Sequence, residues 1–137
     1  EPISLYGYTK AIGEYLAFEY GGSVARLGNI IGSSGSVIPS WEASINRKEP
    51  IKITDERMTR YMIEDIEAVV QIWGGFMAGE KLIVPEMGEP VRLMDMLAEV
   101  LKRHGYKKGS DYEPGVNVIG RRMGEKLEEK LKWDHEA

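Results

Sequence analysis

Between Ser4 and Gly35 the sequence passes from a helical apolar repeat to a short apolar run and then to a glycine-rich loop, and few architectures accept that order. Leu5, Tyr8, Ile12, Tyr15 and Leu16 recur at helical spacing behind Pro2 and Ser4, and Gly21-Gly22 stop the repeat. The spacing predicts an amphipathic helix from residue 4 to about 20, with Tyr6, Lys10 and Glu14 on a different face. Ser23 to Ile30 carries Val24, Leu27 and Ile30 and reads as a buried strand running into Gly28-Asn29-Ile30-Ile31-Gly32-Ser33-Ser34-Gly35. Helix, strand and open loop in that order are an α/β signature.

Downstream, the pattern predicts a helix near residues 38–47 and short strands at Ile51 to Thr54 and Tyr61 to Ile63. Ile66, Val69, Val70, Trp73 and Met77 form one helical stripe; Leu93, Met96, Leu97, Val100 and Leu101 form a second that ends at Gly105. Between the stripes, Lys81 to Val84 reads as a strand stopped by Pro85. The tail offers a strand at Val116 to Ile119, a Gly-Arg-Arg-Met-Gly turn and a short charged helix carrying Leu127 and Leu131. No internal repeat or low-complexity linker interrupts the chain.

Composition excludes several classes. With 42% apolar and 29% charged residues the chain has the make-up of a packed domain, not of a disordered or collagen-like one. Its 137 residues sustain one core but fall short of a two-domain nucleotide enzyme, and the opening Glu-Pro lacks an initiator Met, so a fragment is expected. Scattered basic residues and a net charge of −4 argue against nucleic acid as a partner. The absence of Cys removes disulfides, thiolate zinc sites and thiol nucleophiles and is compatible with a reducing cytoplasm, the expected location. No run approaches the roughly 18 apolar residues of a membrane helix, although an anchor upstream is left open. His104, at a helix end before Gly105, and His135 are far apart and lack paired carboxylates, so no metal site is expected.

Two features could carry chemistry. Tyr6-Gly7-Tyr8-Thr9-Lys10 stacks a phenol and an ammonium one helical turn apart, and the cation favours the phenolate that acts as a base. Taken alone, Tyr-x-x-x-Lys also occurs on many helix surfaces by chance. Gly28-Asn29 with Gly32-Ser33-Ser34-Gly35-Ser36 supplies backbone N–H groups that a substrate or phosphate can approach closely, and it equally fits a plain turn. Neither a Gly-x-Gly-x-x-Gly fingerprint nor a P-loop occurs. Arg60 and Arg122 sit beside turn-like sequence where a fork of donors could clamp a diphosphate, though isolated arginines are commonly solvated.

Read together, Pro2-Ile3-Ser4-Leu5-Tyr6-Gly7-Tyr8-Thr9-Lys10 and Arg26-Leu27-Gly28-Asn29-Ile30-Ile31-Gly32-Ser33-Ser34-Gly35-Ser36-Val37-Ile38-Pro39 resemble the extended short-chain dehydrogenase/reductases. Met58-Thr59-Arg60-Tyr61-Met62-Ile63, Met87-Gly88-Glu89-Pro90-Val91 and Arg122-Met123-Gly124-Glu125-Lys126-Leu127 narrow the resemblance. It is closest to the UDP-N-acetylglucosamine 4,6-dehydratases of capsular-polysaccharide and flagellin-glycosylation type.

The resemblance implies an α/β fold, the C-terminal part of a Rossmann-like extended short-chain dehydrogenase with its small substrate-binding domain. Residues 1–36 would end the dinucleotide-binding fold and 37–137 would form mainly the UDP-sugar region. It implies that Tyr6 is the base that takes the sugar hydroxyl proton as hydride passes to NAD or NADP, and that Lys10 orients the cofactor ribose. Elimination of water and return of the hydride would then make the enzyme a redox-neutral lyase. Asn29 would hold the sugar or its phosphate, Ser36 and Val37 would line the substrate channel, and Arg60, Arg122 and Glu125 would bind the UDP part. The family pattern usually has Pro where Met123 stands, so that turn is expected to be less rigid.

In the family, the Asp-Lys pair for elimination precedes the segment aligned with Glu1, and the Gly-rich cofactor motif lies further upstream. The chain by itself is therefore expected to be inactive, with most of the cofactor site elsewhere. A UDP-sugar epimerase of the same superfamily and a non-catalytic nucleotide-sugar-binding fragment are the alternatives. An incomplete parallel sheet would leave an apolar face near Val24, Leu27 and Ile30, so a complementary chain or self-association is expected.

Overall fold

A computed structural model describes residues 2–34 and 36–132. Its helices are α1 (Leu5–Glu19), α2 (Val37–Arg47), α3 (Asp65–Met77) and α4 (Leu93–Arg103). Short strands alternate with them: β1 (Val24–Ala25), β2 (Asn29–Ile30), β3 (Ile51–Ile53), β4 (Thr59–Arg60), β5 (Met62–Ile63), β6 (Leu82–Ile83), β7 (Val91–Arg92) and β8 (Val116–Val118). β1 pairs in parallel with β6, β2 with β5 and β3 with β8, whereas β4 and β7 are antiparallel. Parallel partners this far apart in sequence need crossover connections, and the intervening helices supply them. The architecture is mixed α/β.

The core lies in the later part of the chain. Trp41 and Ile45 from α2, Ile51 and Ile53 from β3, Met58, and Leu93, Leu97, Val100 and Leu101 from α4 pack with Tyr112. Ile51 and Ile53 point inward because side chains alternate along a strand, which leaves Lys52 outside between them. On α4 the apolar stripe turns inward while Asp95, Glu99 and Lys102 face water. The Tyr112 hydroxyl donates to the Glu49 carbonyl at 2.6 Å, which ties the end of α2 to the loop before β8.

The earlier half is built differently. α1 has no buried residue, and α3 buries only Ala68 and Gly75. The predicted stripe on α3 is helical, but it faces outward: Ile66, Val69 and Trp73 are 74%, 65% and 63% exposed. A pair of strands about 5 Å apart is narrower than a helix of about 10 Å, so α3 meets β6 only along its small-residue edge. There a Cβ on Gly75 would lie 2.9 Å from Ile83. Val24, Leu27 and Ile30 are half-buried, so the open apolar surface belongs mainly to the helices.

Two predicted elements differ. The single strand over Ser23 to Ile30 is two, because β1 takes β6 as partner and β2 takes β5. Gly28 marks the change, packed so closely on Tyr61 that a Cβ would meet its carbonyl oxygen at 2.6 Å. The tail around Leu127 and Leu131 is irregular and not helical. Its carbonyls are spent elsewhere: Arg60 takes those of Lys126 and Leu127, and Arg26 takes that of Leu131. Those oxygens are then committed outside the helical i to i+4 pattern.

Candidate functional site

A cavity of about 340 Å³ opens where β2, the start of α2, β3, β4 and the 120–125 turn converge. Asn29, Ser36, Val37, Arg60, Arg122 and Glu125, the six residues expected to hold a substrate, all line it. Trp41, Met58 and Leu93 give it an apolar floor continuous with the core. Small-molecule sites combine an apolar lining with a few converging polar groups in this way.

Each polar group is fixed by its element. The Asn29 backbone N–H donates to the Tyr61 carbonyl at 2.8 Å, and its side-chain Nδ2 lies 3.4 Å from both that carbonyl and Glu129 Oε2. Ser36 precedes the first turn of α2, and its Oγ is buried without a hydrogen-bond partner among the described residues. A buried hydroxyl left unpaired costs about 1–3 kcal/mol, which a bound ligand or water would offset. The open N–H groups and the dipole of α2 favour negative charge at the same end.

Arg60 is largely committed to the protein. Its Nη1 donates to the carbonyls of Thr59 at 2.7 Å and Leu127 at 3.1 Å, Nη2 donates to Lys126 at 2.9 Å, and Nε lies 3.4 Å from Glu129. Of five N–H donors, one on Nη2 remains for a ligand. Arg60 therefore fastens the tail, and it does not present the full fork to a diphosphate that its turn-like sequence context allows. Arg122 keeps that capacity: its guanidinium is exposed and makes no side-chain hydrogen bond or ion pair among the described residues.

The turn that carries Arg122 is held from several sides. The Arg122 backbone N–H donates to Glu125 at 2.9 Å, and Thr54 Oγ1 donates to the other Glu125 oxygen at 3.1 Å. Arg121 lies 3.6 Å from Asp55. Hydrogen bonds from Arg57, with smaller Coulombic help from Arg57 and Arg121 against burial, lower the Asp55 carboxyl to about 2. Gly124 has φ +77, and a Cβ there would meet Ser4 at 2.6 Å, so the turn abuts the N-terminus of α1. Met123, which stands where the resembled pattern has Pro, is fully exposed and takes no part in these contacts.

Tyr6 and Lys10 do not line this cavity. Ser4 Oγ accepts from the Gly7 N–H at 3.0 Å and starts α1, and Lys10 Nζ then lies 5.2 Å from the Tyr6 ring centre. Both border a broad groove between α1 and β1, with Glu14, Arg26, Lys126 and Leu131. The tail thus touches both places. His104 caps α4 and is exposed; His135 lies outside the described residues, as does Gly35. Among the described residues no group of His, Asp or Glu is placed to hold a metal, and no helix is long and apolar enough to cross a membrane.

Sequence reasoning missed Glu129, Thr54, Lys52 and the Trp41 floor. Glu129 follows Glu125 by four positions, but only the long-range contacts to Asn29 and Arg60 give it meaning, and these have no local signal.

The family model described as polysaccharide biosynthesis protein matches residues 1–137. A UDP-N-acetylglucosamine 4,6-dehydratase (inverting) from Campylobacter jejuni is 34% identical over 140 residues, covering 93% of this chain and 39% of the relative. A UDP-glucose 4-epimerase from Rickettsia bellii is 29% identical over 139 residues, covering 95% and 39%. The crystal structure of UDP-glucuronic acid 4-epimerase from Bacillus cereus, in complex with UDP-glucuronic acid and NAD, superposes with TM-score 0.79 at 18% identity, covering 93% and 43%. The chain spans between 23% and 44% of the length of the curated relatives first matched. Its fold matches the C-terminal part of a Rossmann-like extended short-chain dehydrogenase/reductase.

Proposed function

The chain belongs to the polysaccharide biosynthesis protein family, and from that premise we propose that it is the substrate-binding portion of a nucleotide-sugar 4,6-dehydratase acting on UDP-N-acetylglucosamine. The observation that carries this reading is the convergence of Asn29, Ser36, Val37, Arg60, Arg122 and Glu125 on one cavity from four separate stretches of sequence. Arg122 and the open end of α2 bind the diphosphate, and the remaining Arg60 donor adds one hydrogen bond. Glu125 holds the turn in place.

Tyr6 accepts the proton from a sugar hydroxyl, and Lys10, one helical turn away, binds ribose hydroxyls. Both side chains are exposed on one face of α1, which fits the nicotinamide end of NAD or NADP. The dinucleotide, when bound, accepts a hydride and returns it. The acid and base of the elimination step, and most of the cofactor site, come from residues outside this sequence, so the chain by itself is inactive.

The exposed apolar faces of α1 and α3 fit a complementary polypeptide or a second copy of the chain. A UDP-sugar epimerase is the second reading, favoured by the Rickettsia bellii relative. Calorimetry with UDP and UDP-N-acetylglucosamine tests the site. Arg122→Ala is expected to weaken both ligands by about ten- to a hundredfold, the loss of one or two charge-assisted hydrogen bonds. Equal binding by the variant would remove Arg122 from the site. Formation of a 4-keto-6-deoxy sugar by a full-length relative carrying this segment in place of its own separates dehydratase from epimerase.

A further inference from the structure

We propose that Glu129 is a positioning residue of the nucleotide-sugar site, which orients Asn29 so that its amide oxygen is presented to the sugar. The inference deepens the nucleotide-sugar reading and rests on it. Two acceptors, the Tyr61 carbonyl and Glu129 Oε2, each lie 3.4 Å from the same terminal atom of Asn29. Only an NH₂ group can face two acceptors, so the nitrogen end is turned toward the protein. The other end, Oδ1, accepts no hydrogen bond among the described residues, and Asn29 lines the cavity.

A group that offers only an acceptor cannot hold a phosphate, which has only acceptors at neutral pH. It fits an O–H or N–H donor, as a sugar hydroxyl or acetamido group provides. Asn29 then reads the sugar and leaves the diphosphate to Arg122. An acceptor at position 129 adds to the Tyr61 carbonyl in disfavouring the flipped amide: with nitrogen and oxygen exchanged, Oδ1 would face two acceptors.

Glu129 is itself held in place. Its other oxygen, Oε1, lies 3.4 Å from Arg60 Nε, and its side chain is 30% exposed. Burial raises its pKa above the ordinary 4.5, while Arg60 and Lys126 oppose that rise. On its outer side Glu129 shares a groove with Glu86, Glu89, Lys130 and Lys132. Arg60, Glu129 and Asn29 therefore form one contact chain from the tail to the cavity.

Two measurements on the full 137-residue chain test the proposal. By calorimetry, the wild type is expected to bind UDP-N-acetylglucosamine about three- to tenfold more tightly than UDP, the effect of one added neutral hydrogen bond. Asn29→Ala should bring that ratio close to 1, and Glu129→Ala, which leaves the Tyr61 carbonyl as the one acceptor holding the amide, should lower it part of the way. Glu129→Gln, which keeps an acceptor for Asn29, should retain it. A purely structural role would weaken both ligands equally, so an unchanged ratio in Glu129→Ala, or its loss in Glu129→Gln as well, overturns the proposal. Failure of the wild type to bind either ligand would sink the nucleotide-sugar reading and the sugar-reading role together. The contact itself is read without ligand: the Asn29 side-chain amide resonances should follow a titration with a midpoint above 4.5 that disappears in Glu129→Gln. Asn29 resonances independent of pH would show that Glu129 does not orient it, whatever the ligand result.

Discussion

Replacing Arg60 by Ala is expected to release the tail and to destabilise the chain. The Arg60 side chain is 13% exposed, and it joins Thr59, Leu127, Lys126 and Glu129. A hydrogen bond from a charged donor contributes about 1.5–3 kcal/mol net, but these contributions do not add. The Thr59 carbonyl belongs to the adjacent residue, and the tail carbonyls regain water once the tail lifts. Two charge-assisted bonds less that rehydration, with Glu129 losing its guanidinium neighbour, give about 2–4 kcal/mol. At roughly 3–4 °C per kcal/mol for a domain of this size, the melting temperature should fall by about 6–16 °C. Trypsin should then cut faster after Lys126 and Lys130. Arg60→Lys, which restores the charge but not the fork, should fall between the two. A melting temperature within about 1 °C of wild type, with an unchanged digestion pattern, would refute the tether.

Other consequences can be checked separately. Asp55 has a depressed pKa in the folded state, so its contribution is complete above 3.8 and is lost as pH falls toward 2; its carboxyl carbon should titrate near 2 by NMR, and a midpoint at 3.8 would contradict the Arg57 and Arg121 contacts. Leu97→Ala, at a position 1% exposed, should cost about 2–5 kcal/mol in urea unfolding, whereas a cost below about 1 kcal/mol would mean that the α2–α4 core is not the stabilising centre. Because Trp73 and Val69 lie on the open face of α3, the chain should elute as an oligomer or an aggregate and Val69→Glu with Trp73→Glu should reduce its size; a monodisperse wild-type monomer would count against a docking face.

The parts of this molecule that follow from local pattern were legible in its sequence. Ser4 stands at the start of α1, the Leu93 to Leu101 stripe packs inward on α4, and Gly124 closes the turn that its sequence marks. The six cavity residues were legible only through resemblance, since nothing in the spacing of Asn29 and Arg122 says that they meet. What sequence could not give was tertiary competition. A helical pattern at Leu127 and Leu131 yields to arginines that take its carbonyls, and the α3 stripe stays exposed because the two-stranded sheet is too narrow to cover it. Arg60 shows the same effect at the site: its sequence context suggests a phosphate clamp, but four of its five donors are already directed at the protein.

The central claim is that one cavity binds the nucleotide sugar. Amide chemical-shift mapping of the ¹⁵N-labelled chain with UDP-N-acetylglucosamine tests it most directly. The account predicts saturable shifts clustered at Asn29, Ser36, Val37, Lys52 to Thr54, Arg60 and Arg122 to Glu125. Shifts confined to the α1 groove or the α3 face, or none at millimolar ligand, would contradict it.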